Sequence, residues 1–147
     1  MVIIKQTTLY IMSLLYVIIG IKHFEDPELF ITLVPPMIEF KKEAVYLSGL
    51  FEIIFGAFLV FKKTRKIGAL GIICLLIMVF PANIYLYVSD IPRDVLNVSK
   101  QQAFIRMPFQ IPLIIISYWH SKEIHSKVFS IICVCLFVPT ILYFLTL

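Results

Sequence analysis

The chain has 147 residues, 61% of them hydrophobic, with 13 Lys and Arg against 9 Asp and Glu and a formal net charge of +4; its mean hydropathy is +0.98. Its apolar runs are too long for the core helices of a soluble domain of this size, and segments apolar on every face leave too little polar surface to meet water. The sequence therefore specifies an all-α, polytopic membrane helix bundle with one transmembrane domain over 1–147, and it excludes a nucleic-acid binder, because the surplus charge is a loop asymmetry rather than a basic face.

Five spans are predicted, at about 8–22, 44–61, 67–88, 103–120 and 128–147. Each approaches the roughly 20 residues that a helix rising about 1.5 Å per residue needs to cross about 30 Å of hydrocarbon, the first being the shortest. That first span follows a lone basic residue, Lys5, as a signal peptide would, but Gly20-Ile21-Lys22-His23-Phe24 offers no small-residue cleavage site, so it reads as a retained helix. Asp26-Pro27 then reads as an N-cap followed by proline at the first helical position, opening a short helix through Leu33 that Pro35-Pro36 stops. Too short to cross, it is expected to lie at the outer interface or dip into the bundle mouth.

Lys62, Lys63, Arg65 and Lys66 crowd the loop between the second and third spans, which places that loop and the N terminus in the cytoplasm. Such a cluster also attracts anionic lipid, at about 1 kcal/mol per charge. The loops from Lys22 to Glu43 and from Ser89 to Gln102 hold seven of the nine acids and lie outside, as does the C terminus. Asn97-Val98-Ser99 is formally a glycosylation sequon, a triplet common by chance. Cys74, Cys133 and Cys135 include no CxxC pair and are expected to be small buried hydrophobes.

Glu52 stands out within its span, since no Lys or Arg lies within nine residues of it. A carboxylate at the bilayer centre costs roughly 2.5 to 3.5 kcal/mol on insertion scales, so it must face protein, water or a proton. Ser48, Gly49 and Gly56 flank it at helical spacing, making one face a groove of small residues that lets another helix come close. His23, Asn83, Arg106 and Gln110 are predicted at a similar depth in the outer half, with Arg106 and Gln110 four residues apart and the arginine long enough to reach Glu52. Each has a plainer reading: Arg106 snorkels to headgroups, His23 is interfacial, and Asn83 and Gln110 satisfy carbonyls released at Pro81, Pro108 and Pro112, while Glu52 joins a structural pair. No metal set is expected, because His23, Glu25, Asp26 and Glu28 lack helical ligand spacing and His120 and His125 are five apart.

Taken together, His23-Phe24 with Pro27 and Phe30, Ser48-Gly49 with Glu52 and Gly56, Pro81-Ala82-Asn83, and Arg106 with Pro108 and Gln110 resemble the HFxxPxxF, SGxxExxxG, PAN and RxPxQ pattern of DoxX-like membrane proteins (the DoxX/MauE type) over about residues 9–119. The resemblance implies a DoxX-like four-helix core, to which this chain adds a fifth C-terminal transmembrane helix after Trp119. The family is named for the membrane subunit of a thiosulfate:quinone oxidoreductase. The resemblance thus implies a redox-linked, quinone-associated subunit in the bacterial inner (plasma) membrane, with a quinone as the cofactor to expect. Glu52 and His23 would be the catalytic, proton-passing groups and Arg106, Asn83 and Gln110 would bind the headgroup. Ser48, Gly49, Gly56, Pro81 and Pro108 would support the site. The chain has no haem, flavin or iron–sulfur signature, so electrons would come from a partner; association with other membrane protein subunits or with a second copy is expected. The alternative is a non-catalytic accessory or assembly subunit. A small-solute carrier is weaker still, since no inverted repeat is evident.

Overall fold

The structure, a computed structural model, describes residues 2–123 and 126–145. Among them are seven α-helices and no strand: α1 Val2–Glu25, α2 Pro27–Leu33, α3 Lys41–Val60, α4 Arg65–Val88, α5 Asp90–Leu96, α6 Lys100–Ser121 and α7 Lys127–Leu145. Four of these, α1, α3, α4 and α7, are long and apolar enough to cross a membrane. Helix α6 is 22 residues long, but Gln101, Gln102, Arg106 and Gln110 dilute its apolar character.

The long helices pack antiparallel in the order α1, α3, α4, α6, α7, with α7 returning to touch α1. All five supply the core, in which Leu9 and Met12 meet Leu59, Ile72, Leu76, Ile116 and Phe137. Only 22–28% of the residues in the four apolar spans are buried inside the bundle. Large apolar side chains such as Leu14, Leu47, Ile77, Met78 and Ile131 point outward. A soluble monomer does not tolerate so much continuous exposed apolar surface, whereas a lipid-facing bundle does.

Helix α6 is level with its neighbours at both ends. Trp119 Nε1 donates to Ser130 Oγ of α7 at 3.2 Å and His120 Nε2 lies 3.5 Å from Thr8 Oγ1 of α1. At the far end Tyr143 donates its hydroxyl to the Gln102 carbonyl at 3.2 Å, and Tyr87 of α4 packs on Phe104 at 5.6 Å between ring centroids. The helix begins at a capping box: Gln102 N–H donates to Ser99 Oγ at 3.2 Å and Ser99 N–H to Gln102 Oε1 at 2.8 Å. That cap moves the start three residues ahead of the Ala103 predicted from hydropathy alone.

Helix α1 likewise begins at Val2 rather than Thr8, because Lys5 and Gln6 are good helix formers and nothing polar stops them. Two short helices cover the opposite end of the bundle. Helix α2 follows Asp26 with Pro27 in its first turn, although the aspartate side chain makes no cap hydrogen bond. Helix α5 is not foreseen from periodicity, seven residues being too few to show one; it closes on Asn97 in the left-handed region at φ 56°. Its own Arg93, 8% exposed, turns back under α4, donating from Nη1 to the Leu86 carbonyl at 3.2 Å and also to Tyr87, and pairs with Asp90. The guanidinium thereby satisfies carbonyls left open at the α4 C terminus. Of the three cysteines only Cys133 is buried; Cys74 and Cys135 face outward, where lipid suits a thiol as well as the core does.

Candidate functional site

Small residues bring α1 and α3 together. Ser13 donates its hydroxyl to the Gly56 carbonyl at 2.7 Å, and a Cβ added to Gly20 would stand 2.6 Å from the Gly49 carbonyl oxygen. Only glycine permits that approach, and it brings the last turn of α1 alongside the middle of α3.

His23 and Glu52 meet in that seam. Helical side chains lean toward the helix N terminus, so the Glu52 carboxylate is carried toward the end covered by α2. There Oε2 lies 3.4 Å from His23 Nδ1, with the two side chains 12% and 9% exposed. His23 Nδ1 is also 2.9 Å from the Ile19 carbonyl, which can only accept; Nδ1 therefore carries a hydrogen, and Nε2 is the free basic position of the neutral ring. The glutamate stands in ion-pair range of the imidazole rather than in an aligned hydrogen bond. Phe30 of α2 stacks on the His23 ring at 3.7 Å between centroids with an interplanar angle of 23°. Tyr16 lies near enough to feel the Glu52 charge. Ser48 Oγ and Glu52 Oε2 are both buried without a hydrogen-bond partner. Such groups are costly in an apolar setting, and chemically either could take a hydrogen bond from a polar ligand atom or, for the carboxylate, a proton.

The remaining predicted residues are not drawn into this seam. Gln110, 5% exposed, donates Nε2 to the Leu76 carbonyl of α4 at 3.3 Å and so ties two helices near mid-length. Arg106 lies beside Tyr143 of α7, with its Nε buried and lacking a hydrogen bond. It makes no ion pair with Glu52: among the described residues the pairs within 4 Å are His23 with Glu52 and Arg93 with Asp90. The cause is helix order, because α6 packs on α4 and α7 rather than on α3. Asn83 is half-buried on α4, and Pro81 and Pro108 are exposed within α4 and α6. An open, mainly apolar groove of about 390 Å³ runs between those two helices, with Leu76, Phe80, Met107, Pro108 and Gln110 on its walls.

Phe30 and Tyr16 belong to the site but were not singled out as site residues. Both carried a signal, Phe30 as the last residue of the HFxxPxxF stretch and Tyr16 as part of a stripe with Gly20 and His23. No group of three or more potential metal ligands occurs among the described residues, and His125 lies outside them.

No curated protein and no solved structure matches the chain. A family model, the domain of unknown function DUF8561, matches residues 12–121, a stretch that takes in Tyr16, His23, Phe30 and Glu52 and ends with α6, leaving α7 outside. With well over half of its length so matched, the chain belongs to the DUF8561 family.

Proposed function

We propose that the protein is a DoxX-like, redox-linked integral membrane subunit that handles protons for a quinone at the α1–α3 seam. The observation that carries this reading is the contact of His23 and Glu52, 3.4 Å apart and largely buried, beside orphaned oxygens on Ser48 and Glu52. A quinone supplies a two-electron, two-proton couple, and hydrocarbon cannot furnish those protons. The residues suit a headgroup: Ser48 Oγ can donate to a carbonyl oxygen and Glu52 can accept from a hydroxyl. His23, with Nδ1–H oriented by the Ile19 carbonyl, takes a proton at Nε2, and Glu52 stabilises the resulting imidazolium. Phe30 shields the ring from competing polar contacts. Arg106 and Gln110, expected from the sequence as headgroup ligands, are read instead as groups that fix α6, since one sits against α7 and the other is bonded to α4. Asn83 stays a candidate ligand.

In this reading α6 also crosses the membrane, because its two ends are level with the ends of α1, α4 and α7. Five crossings, with the Lys62–Lys66 turn in the cytoplasm, leave the N terminus inside and the C terminus outside the bacterial inner membrane. The chain's own groups carry protons but not electrons, so a partner subunit supplies those.

A second reading, a non-catalytic accessory or assembly subunit, draws on the Gln110–Leu76 bond, which spends a buried polar group on packing. Gentle purification from native membranes, with mass spectrometry of co-purifying proteins and extracted quinones, separates the two. A stoichiometric quinone that is lost in Glu52→Gln supports the first. A stoichiometric large membrane complex without quinone replaces it with the second.

A further inference from the structure

At the end of the bundle opposite α2 and α5, a cavity of about 490 Å³ opens between the first turns of α1, the α3–α4 turn and the end of α6. Its walls carry five basic side chains, Lys5, Lys62, Arg65, Lys66 and Lys122, against one acid, Glu123. Three come from the basic Lys62–Lys66 turn, and the fold adds Lys5 from the start of α1 and Lys122 from beyond the end of α6. None of the five forms an ion pair among the described residues. Two are anchored: Lys5 Nζ donates to the Lys122 carbonyl at 2.6 Å, and Arg65 donates from Nε to the Leu59 carbonyl at 3.0 Å and from Nη2 to that of Val60 at 3.3 Å. Lys122 is turned onto the Tyr118 ring, with Nζ 4.6 Å from its centroid. Lys62 and Lys66 are exposed, and no side-chain hydrogen bond joins either to another described residue. His120, 1% exposed, also lines the cavity, held by its contact with Thr8.

We infer that this cavity is a binding site for a phosphate-bearing anion. Five positive charges gathered around one concave space against the single carboxylate of Glu123 favour an anion that offers several acceptor oxygens at once. A tetrahedral phosphate does so; a single carboxylate spans fewer donors. The enclosure by three segments fits a compact headgroup-sized phosphate and not an extended polyanion. The site lies level with the ends of the apolar spans, where the phosphates of an anionic lipid sit, and a free phosphate of the same chemistry would meet the same donors.

The test uses the full chain in neutral detergent, titrated with phosphatidylglycerol, with phosphatidylcholine and with inorganic phosphate, and read by native mass spectrometry and thermal midpoint. Wild type retains phosphatidylglycerol in preference to phosphatidylcholine. Lys62→Gln with Lys66→Gln weakens that retention by roughly fivefold per charge removed. Lys62→Arg with Lys66→Arg keeps it, and Lys41→Gln with Lys42→Gln, the same charge change at the far end, leaves it unaltered. Inorganic phosphate that raises the midpoint and competes with the lipid shows that a free anion also occupies the site; phosphate without effect assigns it to the lipid headgroup. Equal losses in the two Gln doubles overturn the inference, as does a wild type that shows no preference for phosphatidylglycerol and no response to phosphate.

Discussion

Gly20 and Gly49 face each other so closely that a Cβ on either would collide, 2.6 Å from the Gly49 carbonyl oxygen in one case and 2.5 Å from the His23 Cβ in the other. The same contact sets the separation of α1 and α3 and the placing of His23 over Glu52. Gly49→Ala should therefore lower stability by roughly 1–3 kcal/mol through overpacking and displace His23. Thermal unfolding in detergent checks this, with Leu50→Ala on the outward face of α3 as the comparison. An unchanged midpoint for Gly49→Ala would mean that the seam is looser than its geometry.

Gln110 tests which polar groups only hold helices together. Gln110→Leu removes one interhelical bond, worth about 0.6 kcal/mol on average and at most about 1.7 between membrane helices, and leaves the Leu76 carbonyl within its own helix. The variant should show a small fall in midpoint and unimpaired complementation of a deletion strain. Loss of complementation at an unchanged midpoint would return this amide to the ligand site.

The long helices were legible because each carries a long apolar stretch, broken within α3 by Glu52 and within α6 by Arg106 and Gln110, and the start of α2 because Asp26-Pro27 is a strong local signal. The Ser99 and Gln102 pair that starts α6 is equally present in the sequence as a capping box, ahead of the rise in hydropathy at Ala103. Helix α5 was hidden because what fixes it is the bond from its Arg93 back to the end of α4, a tertiary arrangement with no periodic trace. For the site, Glu52 announced itself by isolation, and the small residues around it announced a close neighbour. What spacing could not give was the order of helices. Arg106 and Gln110 share a face of α6 as expected, but α6 packs on α4 and α7, so that face never reaches Glu52.

Topology can be measured directly. Reporter fusions after Lys66 and at the C terminus should give opposite signals, the first cytoplasmic. The prediction depends on α6, whose Arg106 and Gln110 make it the least apolar of the five long helices although its ends are level with theirs. Equal signals would mean that one of these helices does not cross, with α6 the first to suspect.

Glu52→Gln separates a working pair from a structural one. Glutamine keeps the size and hydrogen-bonding capacity of the side chain and removes the titratable proton. If Glu52 and His23 serve only to bind α1 to α3, replacing both by apolar groups of similar volume, as in His23→Phe with Glu52→Leu, should keep both fold and function, since such swaps are often neutral or stabilising. If they move protons, Glu52→Gln should fold with a midpoint near that of wild type and fail to complement a deletion strain, and the apolar double should fold and fail as well. The seam favours the second outcome, because Ser48 Oγ and Glu52 Oε2 are buried without a hydrogen-bond partner, which packing alone does not call for. A stable Glu52→Gln protein with full complementation would end the proton-handling proposal.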